Sequence, residues 1–182
     1  MTWHAVVTFA PLIAMLMWAA YEDLRRRRIP NWLTLTIALT GLMQSFTAYP
    51  TVRPWQSVCG LAAGLGLTIA LFALGALGGG DVKLLAAAGA WTGAALVLYV
   101  FLATAVIGMV IVLSQSICQR RVRVLLRNSL LLVVNLLHVK QLGVEHTRAT
   151  GQSCRSIDRP LPYAVPVLIA TAAVLLFGRG SA

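Results

Sequence analysis

Five acids stand in this chain of 182 residues: Glu22, Asp23, Asp81, Glu145 and Asp158. Two of them keep unusual company. Asp81 follows three glycines in Leu77-Gly78-Gly79-Gly80-Asp81-Val82-Lys83, between two long apolar runs. Consecutive glycines give up about 1 kcal/mol of helix stability each relative to Ala. A charge at the centre of a membrane helix costs roughly 2.5–3.5 kcal/mol on insertion scales, so a carboxylate so placed marks function. Asp23 closes the first apolar run, just before Arg25-Arg26-Arg27-Arg28. Brought together, two carboxylates share one proton, because like charges at short range do not readily both ionise. The ionised one accepts a proton from water while the protonated one hydrogen-bonds a peptide carbonyl; that is acid–base hydrolysis of an amide, with no metal and no covalent intermediate. Such titrations belong to the pair, so neither Asp takes a fixed role. The plainer alternative pairs Asp23 with its own arginines and Asp81 with Lys83.

The elements that must position these acids are membrane helices. The chain is 59% hydrophobic and 11% charged, with a mean hydropathy of +0.82, which places it among all-α polytopic membrane proteins rather than water-soluble domains. Its net charge of +10 does not call for nucleic acid. Thirteen of the fifteen Lys and Arg lie in three places between apolar runs, leaving only Arg53 and Arg179, and that is a positive-inside distribution. Cys59, Cys118 and Cys154 are far apart, with no CxxC pair, and read as isolated thiols. His4, His138 and His146 have no ligand spacing, so no metal and no cofactor is expected.

Residues 3–20 are long enough to cross the hydrocarbon core and lack the basic n-region of a secretory signal, so they read as a retained first span. The arginines at 25–28 fix the following loop in the cytoplasm. Pro30, in Ile29-Pro30-Asn31, suits the first turn of a second helix, and residues 32–48 lead to a loop on the outer side. Residues 57–77 return the chain; Gly60, Gly64 and Gly66 there predict close helix packing. The uncharged stretch 84–117 exceeds one span and falls short of two full ones, so a tight turn near Trp91-Thr92-Gly93 divides it into a short fourth helix and a longer fifth. A short fourth helix that reaches the outer side must start below the cytoplasmic surface, which immerses residues 78–80 and Asp81; non-helical backbone at that depth has to be buried in protein or line a wet cavity. Residues 124–138 predict an amphipathic helix on the inner surface rather than a seventh span. Residues 139–160 form a polar loop, and residues 161–177 cross outward. About six transmembrane helices, with the N-terminus outside, put Asp23 and Asp81 on one side of the membrane.

Gly78-x-Gly80-Asp81 with Val82-Lys83, Asp23 six residues before Ile29-Pro30-Asn31 and Leu33-Thr34, and Arg159-Pro160-Leu161-Pro162-Tyr163-Ala164-Val165-Pro166 at the last span occur in this order. Together they resemble the type IV prepilin leader peptidases, most closely the small form associated with Flp/Tad-type pili. The resemblance covers nearly the whole chain. It implies one membrane-embedded peptidase domain over residues 1–182, in the bacterial inner membrane, with Asp23 and Asp81 as the catalytic pair. The substrate it implies is a pilin precursor, cut on the cytoplasmic side after a short basic leader ending in glycine, and the pilus assembly machinery is a further partner. Larger relatives carry a zinc-binding N-terminal domain with two CxxC pairs and an N-methyltransferase activity; neither is expected here.

Around the pair, Gly78 and Gly80 would let a substrate backbone approach closely. Lys83 either holds Asp81 ionised or contacts substrate, against the plainer reading of a surface cation. Asn31 is expected to cap or hydrogen-bond near the site, and Pro30 to shape it. Glu22 is a bystander, and Tyr163 reads as an interfacial anchor before it reads as a cleft residue. Two other functions compete: the same dyad acting on preflagellin-like or pseudopilin precursors, and a noncatalytic membrane subunit of the assembly apparatus. A transporter would carry internal symmetry, which this sequence lacks.

Overall fold

A computed structural model describes residues 3–47, 50, 52–73, 77–118 and 162–177. The surface helix expected at 124–138, the polar loop after it and Cys154 lie outside these residues. The described chain is all helical: α1 (Trp3–Arg26), α2 (Asn31–Gln44), α3 (Pro54–Ala73), α4 (Gly79–Cys118) and α5 (Ala164–Phe177).

Apolar residues at helical spacing build the core. Leu12, Leu16 and Ala19 of α1 meet Leu33 and Ile37 of α2, Leu84, Leu85 and Trp91 of α4, and Ala164 and Val167 of α5. Buried polar groups lock the layers at the end away from the acids. Trp91 Nε1 donates to the Ile37 carbonyl at 2.8 Å and Ser57 Oγ to the Ala90 carbonyl at 2.6 Å.

The turn predicted near Trp91-Thr92-Gly93 is present. α4 is interrupted at Gly93, with φ 80° and ψ 170°, a conformation essentially reserved for glycine. Beyond it the chain folds back. The place where a Cβ on Gly89 would stand is 3.1 Å from Val97 Cγ2, whereas residues eight apart in a straight helix are separated by about 12 Å.

The first arm of α4 lies antiparallel to α3 on small residues. A Cβ on Gly60 would run into the Gly89 carbonyl, and one on Gly64 would stand 2.8 Å from the Leu85 carbonyl oxygen. Gly66 differs from the expectation, since nothing lies within 4 Å of its would-be Cβ. At 100° per residue it is turned well away from the Gly60–Gly64 face.

Among the described residues, α3 and α4 are long and apolar enough to cross a membrane, and α5 has a shorter apolar stretch, Ala164–Leu176. In the second arm of α4, Leu98, Tyr99, Leu102, Val106, Met109, Val110, Leu113 and Ile117 face outward. An apolar patch of that extent is rare on a water-soluble monomer and marks a surface that needs an apolar cover.

Candidate active site

Asp23 lies one turn before the end of α1 and is buried, at 7% exposure. Two features hold it. Its backbone carbonyl accepts the Arg27 N–H at 2.9 Å. Arg27 has φ 52°, a left-handed residue closing α1 in the position where glycine is commonest. Its side-chain Oδ2 accepts the Ala164 N–H at 3.0 Å, across 141 residues of sequence. Ala164 opens α5, so a negative charge faces a helix N-terminus, where unpaired N–H groups favour it. Asp23 lies beyond the apolar run of α1. Burial pushes its carboxyl above the usual range, while the Ala164 N–H and the Arg27 guanidinium pull it down.

Asp81 is in the first turn of α4. The Gly78 carbonyl accepts the N–H groups of Asp81 and Val82 at 3.1 and 3.3 Å. In return, Asp81 Oδ2 accepts the Gly78 N–H at 3.0 Å. The second bond is the return half of a capping box, with Asp at the third helical position; Gly78 has no side chain to form the other half. It explains part of the glycine cluster: a Cβ on Gly78 would stand 3.0 Å from Asp81 Oδ2.

The two carboxylates come to the same end of the bundle: Ile29, in the linker that follows α1, packs on Gly80, and Asn31 takes Lys83. α1 packs mainly on α5 and α2, and α4 on α3, α2 and α5. The plainer pairing of Asp81 with Lys83 is not formed. Lys83 Nζ donates to Asn31 Oδ1 at 2.9 Å, because residues two apart on a helix point to different sides. Asn31 thus bonds Lys83, two residues past Asp81, and no side chain caps α2. Pro30 takes the N-cap position, with φ −63° and ψ 134°, one residue earlier than the first turn. Glu22 pairs with Arg26 at 3.2 Å, as a bystander would.

Gly80 packs on the α1–α2 linker, its would-be Cβ 3.4 Å from Ile29 Cβ. Tyr163 is half-buried and packs against the core beside Ala164. Little in the residue types warned of the Ala164 amide, because a backbone N–H has no residue type. Pro162 and Pro166 flanking it were the one available signal.

Among the described residues, these features are helices, two of them of membrane-crossing length, with two carboxylates toward one end. The model of the type IV leader peptidase family matches residues 10–113, more than half of the chain, and the protein belongs to that family. Membership makes it a protease with a protein substrate and, with the apolar helices, points to a membrane protein. The match spans Asp23 and Asp81 and ends before α5. No curated protein and no solved structure matches the chain.

Proposed function

We propose that this protein is an aspartic endopeptidase of the bacterial inner membrane that removes the short basic leader of Flp/Tad-type prepilins. Cleavage falls on the cytoplasmic side after a glycine. Asp23 and Asp81 form the dyad: one ionised carboxylate takes a proton from water, and its protonated partner hydrogen-bonds the scissile carbonyl. The observation that supports this reading is the placing of Asp23 and Asp81 toward one end of the bundle, each with Oδ2 accepting a backbone N–H. That anchoring ties one oxygen of each carboxyl and leaves Oδ1 for water or the peptide.

The remaining assignments fit the same scheme. About six helical legs cross the bilayer with the N-terminus outside, one domain carries the whole activity, and residues 78–80 admit the substrate backbone. α2 and the first arm of α4 are each about 21 Å long at 1.5 Å per residue, short of the roughly 30 Å hydrocarbon core. That shortness supports a site sunk below the cytoplasmic surface.

The test is cleavage of a Flp-type precursor in membranes carrying the wild type, Asp23→Ala or Asp81→Ala. The expected outcome is shortening by the wild type alone, with both variants accumulating normally. An alanine variant with wild-type activity would remove that Asp from the dyad. Cleavage of preflagellin-like or pseudopilin precursors in place of Flp-type ones would reassign the substrate. A wild type inactive on all of them would favour the assembly-subunit reading.

A further inference from the structure

We propose that Lys83 is a positioning residue for the aspartate pair, acting through Asn31 and not on either carboxylate. The proposal rests on the dyad described above and assigns what sets its spacing. α1 and α4 carry one Asp each and are held in register by the two elements that pack on both, α5 and α2. On the α5 side the link is the Ala164 N–H on Asp23. On the α2 side it is the hydrogen bond from Lys83 Nζ to Asn31 Oδ1, 2.9 Å long and spanning 52 residues of sequence.

Several steps from Asp23 to Asp81 along this second route are held by the backbone or by packing. The Asp23 carbonyl binds the Arg27 N–H, and Arg27 turns the chain with its positive φ. Ile29 packs on Gly80. Pro30 locks φ at the start of α2 and its carbonyl accepts the Leu33 and Thr34 N–H groups. Asn31 then takes Lys83, two residues past Asp81. At the far end Trp91 Nε1 fastens α4 to the Ile37 carbonyl of α2, and Ser57 of α3 donates to the Ala90 carbonyl of α4; at the near end the Asn31–Lys83 bridge, between exposed side chains, joins α2 to α4 beside the Ile29–Gly80 contact. A displacement of about 1 Å at reacting groups can cost on the order of 100-fold in rate, which gives a remote strut a large kinetic reach.

The first arm of the experiment measures precursor cleavage in membranes by the full chain carrying Lys83→Met, Asn31→Leu or both. The second arm uses no catalysis. In a chain with Asp23→Cys and Asp81→Cys, and with Cys59, Cys118 and Cys154 changed to Ser, it measures cross-linking by a short bis-maleimide with and without Lys83→Met. The expected result is a fall in kcat of roughly 10-fold or more for each single variant with KM little changed. The double variant should be no worse than either single. Lys83→Arg and Asn31→Asp should restore most of the rate, and cross-linking should drop with Lys83→Met.

Full activity in Asn31→Leu beside a loss in Lys83→Met would overturn the proposal, since Lys83 would then act on the site or substrate directly. So would cross-linking indifferent to Lys83→Met. A wild type that cleaves no precursor would sink the peptidase reading alone. The cross-linking arm would still decide the strut, a drop supporting it and no change overturning it.

Discussion

Asp23 is a buried acid whose charge is costly and whose hydrogen bond is useful, and the two effects can be separated. Its folded carboxyl titrates above the ordinary 3.8 because of burial. The folded state therefore holds the proton more readily than the unfolded one, and Asp23 favours folding most fully below pH 3.8. That contribution is lost as pH rises through the raised value. Asp23→Asn removes the buried charge and keeps an oxygen for the Ala164 N–H. It should abolish cleavage yet match or exceed the wild-type melting temperature at neutral pH, with the gain vanishing at acid pH; a lower neutral melting temperature would show that the charge itself is needed for folding. Gly78 makes a different prediction. Its would-be Cβ stands 3.0 Å from Asp81 Oδ2, tight enough to move a carboxylate by tenths of an ångström but not to unfold a helix. Gly78→Ala should lower kcat at normal protein level, and unchanged kcat would mean that the capped position of Asp81 is not the working one.

Helix contacts divide the glycines by what surrounds them. Gly60 meets the backbone of Gly89, and Gly66 meets nothing within 4 Å. A methyl group at Gly60 must push α3 off α4, and overpacking of this kind typically costs 1–3 kcal/mol and occasionally more. Gly66→Ala adds a better helix former without contact and should be neutral, or stabilising by up to about 1 kcal/mol. Thermal unfolding of the two variants in the same detergent should therefore move in opposite directions, or one fall while the other holds. Equal losses would show that the α3–α4 contact is looser than this packing. Gly93 belongs with Gly60 for another reason. Its φ and ψ reverse the chain in the middle of an uncharged stretch, and that reversal is what lets α4 supply a short arm bearing Asp81 and a longer arm facing outward.

Over the whole molecule, both acids, the arginines at 25–28 and Lys83 gather at one end, while Arg53 and Gly93 lie at the other. Cysteine labelling with an impermeant maleimide should reach Arg28→Cys from the cytoplasmic face and Arg53→Cys from the outer face. Asp81→Cys should label more slowly than Arg28→Cys if its arm starts below the surface. Labelling of both arginine positions from one face would reject the proposed topology. Hydropathy, the placement of charge and three short motifs were enough to read a helical, membrane-type protease and the break at Gly93, because burial in lipid and helix breaking are written in residue types. Other features were illegible for a physical reason. The Ala164 amide that holds Asp23 is backbone, the left-handed turn at Arg27 uses a residue that usually avoids it, and the preference of Lys83 for Asn31 over Asp81 depends on which sides of two helices face each other. Sequence alone determined which groups could do the chemistry; only the packing of α2 and α5 between α1 and α4 decided what holds them in place, since hydrogen bonds across 52 and 141 residues exist only after the helices have met.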